Sequence, residues 1–187
     1  LPKNASAASL RILCGAPEKT VQWVERLQAP QTPEEEAYLT LESGYRQFVE
    51  AYGLALSDEM RRTLSPYLDP IASGYPDGEM TALAAVRCTQ EFLSGALSYA
   101  EDTPALPAGA DFVTYTLKTG TGRDFQYATL AVLALRYYGV PARYAEGYIL
   151  TQERAAKAET GPAELRESDA HAWAEVYQEG VGWLPLE

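Results

Sequence analysis

Residues 170–178 (Ala-His-Ala-Trp-Ala-Glu-Val-Tyr-Gln) alternate strictly along the chain. His171, Trp173, Glu175 and Tyr177 fall on one face, and Ala170, Ala172, Ala174 and Val176 on the other, which predicts a half-buried strand. A different pattern precedes it. Residues 125–138 are apolar nearly all round, with Tyr127, Ala128, Leu130, Ala131, Leu133, Ala134 and Leu135. A helix of that kind lies at the centre of a domain. Gly120-Thr121-Gly122-Arg123-Asp124 forms a tight loop at its start, and Gly139-Val140-Pro141 ends it. Residues 143–150 read as a strand, 151–168 as a polar and partly helical connection, and 183–187 as the start of another strand.

Helical periodicity dominates the first half. Residues 17–28 place Val21, Val24 and Leu27 on one face. Thr32-Pro33-Glu34-Glu35-Glu36 is a helix start, with a capping hydroxyl, a proline at the first position and acids facing the dipole. That helix is expected to stop at Gly53. Ser57-Asp58-Glu59-Met60 opens a shorter helix that Pro66 is expected to end. Pro76-Asp77-Gly78-Glu79 turns into a helix over about 79–99, with Ala85, Cys88, Phe92, Ala96 and Tyr99 in one stripe; 103–110 is a loop. Helices, then one buried helix, then an antiparallel meander make an α+β fold. Residues 1–75 read as a helical extension and 76–187 as the core domain.

Composition narrows the chemistry. Of 187 residues, 47% are apolar and 22% charged, which excludes wholesale disorder. Acidic residues outnumber basic ones 26 to 15, for a net charge of −11, which disfavours nucleic acid and anionic lipid as partners. No apolar run is long enough to span a bilayer. The chain starts without Met or a signal peptide and stops within a strand pattern, as expected of a segment of a longer protein. A single histidine, His171, carries any imidazole chemistry. Two cysteines exclude a disulfide framework and a cysteine-cluster zinc site. Cys88, inside an apolar stripe, reads as a buried structural thiol. Asp111, Asp124 and Asp169 match no calcium-loop spacing, so no metal or cofactor is expected.

A glycine loop delivering a residue to the N-terminus of a buried helix, with a histidine on a facing strand and an acid on the next, suits nucleophilic catalysis. Here the chain resembles the transglutaminase-like superfamily, which shares the papain-like fold. The resemblance rests on Leu135, Arg136, Gly139, Pro141, Ala142, Arg143, Gly147 and Tyr148, and then on His171, Ala172, Trp173, Glu175, Tyr177, Gly182 and Trp183. It implies a buried helix packed on an antiparallel sheet, and cysteine-type transglutaminase or protease activity. The family's nucleophilic cysteine falls on Asp124, its histidine on His171 and its terminal aspartate on Glu187.

Asp124 is expected to cap the helix, accepting N–H bonds from the first turn and pairing with His171. A carboxylate there keeps the geometry and loses the thiol. The primary expectation is therefore a catalytically inactive module that binds a peptide, a protein or a cell-wall polymer. Two readings stand beside it: a cysteine enzyme whose nucleophile was mutated, and an Asp/His hydrolase. Bacterial relatives imply a domain on the outer face of a membrane-anchored parent. Trp173, Trp183 and Tyr148 are candidates to wall a groove, and the tryptophans are equally candidates for the core. Arg143 is expected to pair with Glu146 or Glu175, and Asp169 to contact His171 or cap the strand.

Overall fold

The structure, a computed structural model, describes residues 29–75, 80–158 and 164–186. The expected helix over 17–28, the turn at 76–79, Cys14 and Glu187 lie outside the described residues. Helix α1 (Pro33–Gly53) begins as the sequence implies. The Thr32 hydroxyl accepts the Glu35 N–H at 3.2 Å, and the Glu35 carboxylate accepts the Thr32 N–H at 3.2 Å. This reciprocal cap satisfies two donors that a helix start leaves unpaired.

Helix α2 (Asp58–Ala72) runs through Pro66 and Pro70, six residues past the expected stop. Each proline removes a helical hydrogen bond. Leu64 and Leu68, on either side of Pro66, are fully buried, and their burial outweighs that loss. Helix α3 (Ala82–Ala96) is shorter than expected at both ends. Thr81 caps it, and Leu97 turns extended so that β1 (Ser98–Tyr99) pairs in parallel with β2 (Thr121–Gly122). Tyr99 therefore leaves the helical stripe and stands exposed on a strand. Between these strands lies α4 (Phe112–Thr119), which periodicity did not signal. It is eight residues long, capped by Asp111, and held by the burial of Val113 and Thr116.

Helix α5 (Asp124–Tyr137) is the expected central helix. It lies against α2, α3 and the sheet. The sheet is an antiparallel meander of β3 (Ala142–Tyr148), β4 (Ala170–Gln178) and β5 (Gly182–Leu186), with β4 in the middle. Between β3 and β4 the chain forms α6 (Gln152–Ala158) and a 3-10 turn at Glu167–Asp169. One core cluster joins Leu64, Leu68, Phe92, Leu97, Val113 and Leu130. A second joins Ala131, Leu135, Val140, Ala142 and Ala174 beneath the sheet. Among the described residues no helix is long and apolar enough to cross a membrane.

Helix α1 buttresses the β4–β5 hairpin through a buried acid. Glu42 accepts hydrogen bonds from the Tyr177 hydroxyl at 2.7 Å, the Gly180 N–H at 3.4 Å and Arg46 at 2.7 Å. Burial opposes its charge, but bonds from Arg46, Tyr177 and Gly180 together hold its carboxyl below the usual range. A lowered folded pKa contributes stability above the unfolded value of about 4.3, and that stability is lost as pH falls through the folded value. Glu42→Gln is expected to cost about 1–3 kcal/mol at pH 7. The difference from the wild type should shrink in urea melts as pH is lowered through and below 4. A constant difference across that range would show that the charge on Glu42 is not what the hairpin needs.

Candidate functional site

The site is built at the N-terminus of α5. The Gln126 side chain accepts the Arg123 N–H at 2.8 Å and donates to Thr103 Oγ1 at 3.4 Å. This ties the glycine loop to the helix and presents Asp124 as the first helical residue, with Arg123 in the capping position. The expectation that Asp124 caps its own helix is thus corrected: its carboxylate reaches across to β4. Oδ2 accepts the Ala172 N–H at 2.9 Å and lies 3.4 Å from His171 Nδ1. Ala172 lies opposite Glu146 of β3, and Asp124 supplies the acceptor that its N–H, a buried-strand donor, needs. The pair remains reachable, with side-chain exposures of 18% for Asp124 and 30% for His171.

A cavity opens on each side of the pair. The first, about 380 Å³, is mostly apolar and has Leu93, Tyr127 and Trp173 in its walls. The second, about 460 Å³, is more polar and is bordered by Arg123, Tyr144, Glu146 and Tyr148. Asp124, His171 and Ala172 line both. The structure therefore brings Asp124, His171, Trp173 and Tyr148 around one groove. Tyr144 donates to Glu146 at 2.7 Å. Burial, that hydrogen bond and the charges of Glu146 and Asp124 all push its phenol up.

Trp173 lies near-parallel to His171, with ring centroids 6.2 Å apart, and donates its indole N–H to Glu175 at 3.2 Å. A Cβ at Gly147 would come within 2.8 Å of the Trp173 ring, so only glycine lets the indole lie flat across β3. Trp183 belongs elsewhere. It donates to the Tyr45 hydroxyl at 2.8 Å, packs edge-on to Tyr177 and lies under the Arg143 guanidinium at 4.5 Å. It is an anchor between α1 and the hairpin, and it lines neither cavity. Arg143 pairs with Glu175 at 2.6 Å, across the register that sets them opposite one another. Asp169 is held by Arg154, and Asp111 caps α4. Cys88 is fully buried, and burial pushes its thiol up, as a structural thiol requires.

Thr89 and Gln126 escaped the sequence reading, and Gly147 entered it only through the family resemblance, without its contact to Trp173. Gln126 could have been found from its place three residues after the cap, the spacing of a capping box. Thr89, inside a helical stripe, carries no local signal.

Comparison with known proteins agrees with this architecture. A family model of the transglutaminase-like superfamily matches residues 69–187. A protein-glutamine gamma-glutamyltransferase of Pseudomonas aeruginosa is 31% identical over 138 residues, 71% of this chain and 17% of the relative. The uncharacterized protein YebA of Bacillus subtilis is 29% identical over 106 residues, 54% of this chain and 14% of the relative. The periplasmic domain of TgpA from Pseudomonas aeruginosa superposes with a TM-score of 0.54 at 26% identity, covering 75% of this chain and 46% of that one. Its ethylmercury-bound form gives 0.55 at 25% identity, covering 75% and 48%. The chain thus spans less than a fifth of the curated relatives' lengths.

Proposed function

Because the chain belongs to the transglutaminase-like superfamily, we propose that it is a non-catalytic member whose groove binds peptide. The observation that carries this is the carboxylate at position 124. It stands where the family resemblance puts the nucleophilic cysteine, and it is bound to the Ala172 N–H beside His171. That carboxylate oxygen is engaged by a backbone donor of β4, and a carboxylate is a far weaker nucleophile toward an acyl carbon than a thiolate. The site thereby keeps the shape of an acyl-transfer centre without a thiol to attack. The peptide reading is supported by the Pseudomonas aeruginosa relative, whose name gives protein glutamine as what it acts on. The core over 76–187 carries the groove, and the helical extension before it buttresses the β4–β5 hairpin. Likeness to a periplasmic domain supports a position outside the cytoplasmic membrane, as part of a longer, membrane-anchored protein.

The test is turnover. An N-blocked Gln-Gly dipeptide, with hydroxylamine as acyl acceptor, is expected to release no ammonia above background with the wild-type protein. Turnover lost in Asp124→Asn would establish the Asp/His hydrolase instead. Turnover that persists in Asp124→Asn but needs His171 would overturn the non-catalytic reading by another route. A cysteine codon at position 124 in the parent gene would restore the cysteine-enzyme reading outright.

A further inference from the structure

The apolar cavity beside the Asp124–His171 pair holds an unexplained group. Thr89, on α3, is wholly buried and lines this cavity. Its hydroxyl has no hydrogen-bond partner among the described residues. A buried hydroxyl left unpaired is costly, and native proteins rarely keep one without use. A serine or threonine within a helix commonly bonds the carbonyl one turn back, as Thr129 does to Phe125 at 2.7 Å. Thr89 does not. The surrounding walls are Leu93, Tyr127, Ala131, Trp173 and Leu186, so the space itself favours an apolar or aromatic body. A volume of about 380 Å³ has room for one large side chain.

We propose that this cavity receives one aromatic side chain of the bound peptide, with a hydrogen-bonding group at its far end that Thr89 satisfies. Among the standard side chains, tyrosine has that form. The proposal rests on the reading that the groove binds peptide, and it adds which residue the groove selects. A preference of this kind arises because a ligand lacking the polar end leaves the Thr89 hydroxyl unpaired in the complex. The neighbouring cavity, with Arg123 and Glu146 on its border, takes the more polar flank of the same peptide.

Millimolar titrations of N-acetyl-tyrosinamide, N-acetyl-phenylalaninamide and N-acetyl-serinamide, followed by amide chemical shifts of the whole chain, test it. The tyrosine probe is expected to shift Thr89, Leu93, Ala131 and Leu186, and to bind about three- to tenfold more tightly than the phenylalanine probe. In Thr89→Val, which keeps the shape and removes the hydroxyl, that preference should vanish while the phenylalanine probe still binds. The variant should also be no less stable than the wild type, since it deletes an unpaired group. Ala131→Leu, which fills the cavity, should abolish these shifts and leave those at Gly147 and Tyr148.

Equal binding of the tyrosine and phenylalanine probes, or an unchanged preference in Thr89→Val, overturns the proposal. So do equal shifts from the serine probe. Shifts confined to Gly147 and Tyr148 overturn it while leaving the peptide-binding groove standing. Absence of shifts from every probe at either cavity removes both readings.

Discussion

Asp124→Cys is expected to produce a thiol that iodoacetamide alkylates at pH 6 about tenfold faster than free cysteine. The sulfur would sit at the first residue of α5, where unpaired N–H groups and the helix dipole favour an anion, and within reach of His171. Such placement brings a thiol pKa from about 8.5 to about 6, raising the thiolate fraction at pH 6 by about 150-fold. A less basic thiolate is also a weaker nucleophile, by about tenfold over that interval. The product of the two effects is the expected gain. His171→Ala in the same background should remove most of it, because its imidazole is the side chain of the facing strand within reach of position 124. Mass mapping of the alkylated peptide separates position 124 from the two native cysteines, and Cys88 should stay silent in its apolar stripe. A rate no higher than that of free cysteine would mean that the helix end does not present this side chain to the histidine as the carboxylate geometry implies.

Leu130→Ala should be the most costly single truncation, at about 3 kcal/mol. Leu130 is fully buried on α5, in the cluster with Leu64, Leu68 and Phe92. It is therefore where α2, α3 and α4 are held to the central helix. For a chain of this size the loss should lower the melting temperature by about 6–12 °C. The urea midpoint should fall without a change in slope. Leu41→Ala, on the exposed side of α1 at 76% exposure, should stay within about 0.5 kcal/mol of the wild type. Below the transition, Leu130→Ala should leave the alkylation rate of the Asp124→Cys thiol unchanged, because Leu130 packs with Leu64, Leu68 and Phe92 and lines neither cavity. A loss of reactivity in the folded protein would show instead that core packing sets the approach of α5 to β4.

Much of the site was legible before any coordinate. The alternation over 170–178 set the span of β4 to the residue, and with it His171 and Trp173 on one face. The all-round apolarity of 125–138 marked the helix that the sheet and α3 enclose. The glycine loop before it placed Asp124 at the helix start within one residue. Arg143 found one of its two expected partners because cross-strand register set Glu175 opposite it. These are short-range properties, written in side-chain period and backbone preference, so a linear reading recovers them.

Other features had no local signal. The prolines of α2 argued for a stop that the burial of Leu64 and Leu68 overruled. Trp173 and Trp183 look alike in sequence, yet one walls the groove and the other braces α1 against the hairpin. The direction of the Asp124 carboxylate depended on the Ala172 N–H of β4, 48 residues further along the chain. The unpaired hydroxyl of Thr89 became visible only when α3, α5 and β4 closed a cavity around it. By itself the sequence determined the family, the central helix, the strand and the two residues that face one another. Tertiary structure decided what each of them touches, because partners across a gap are chosen by packing and unpaired backbone groups, and neither is encoded within one element.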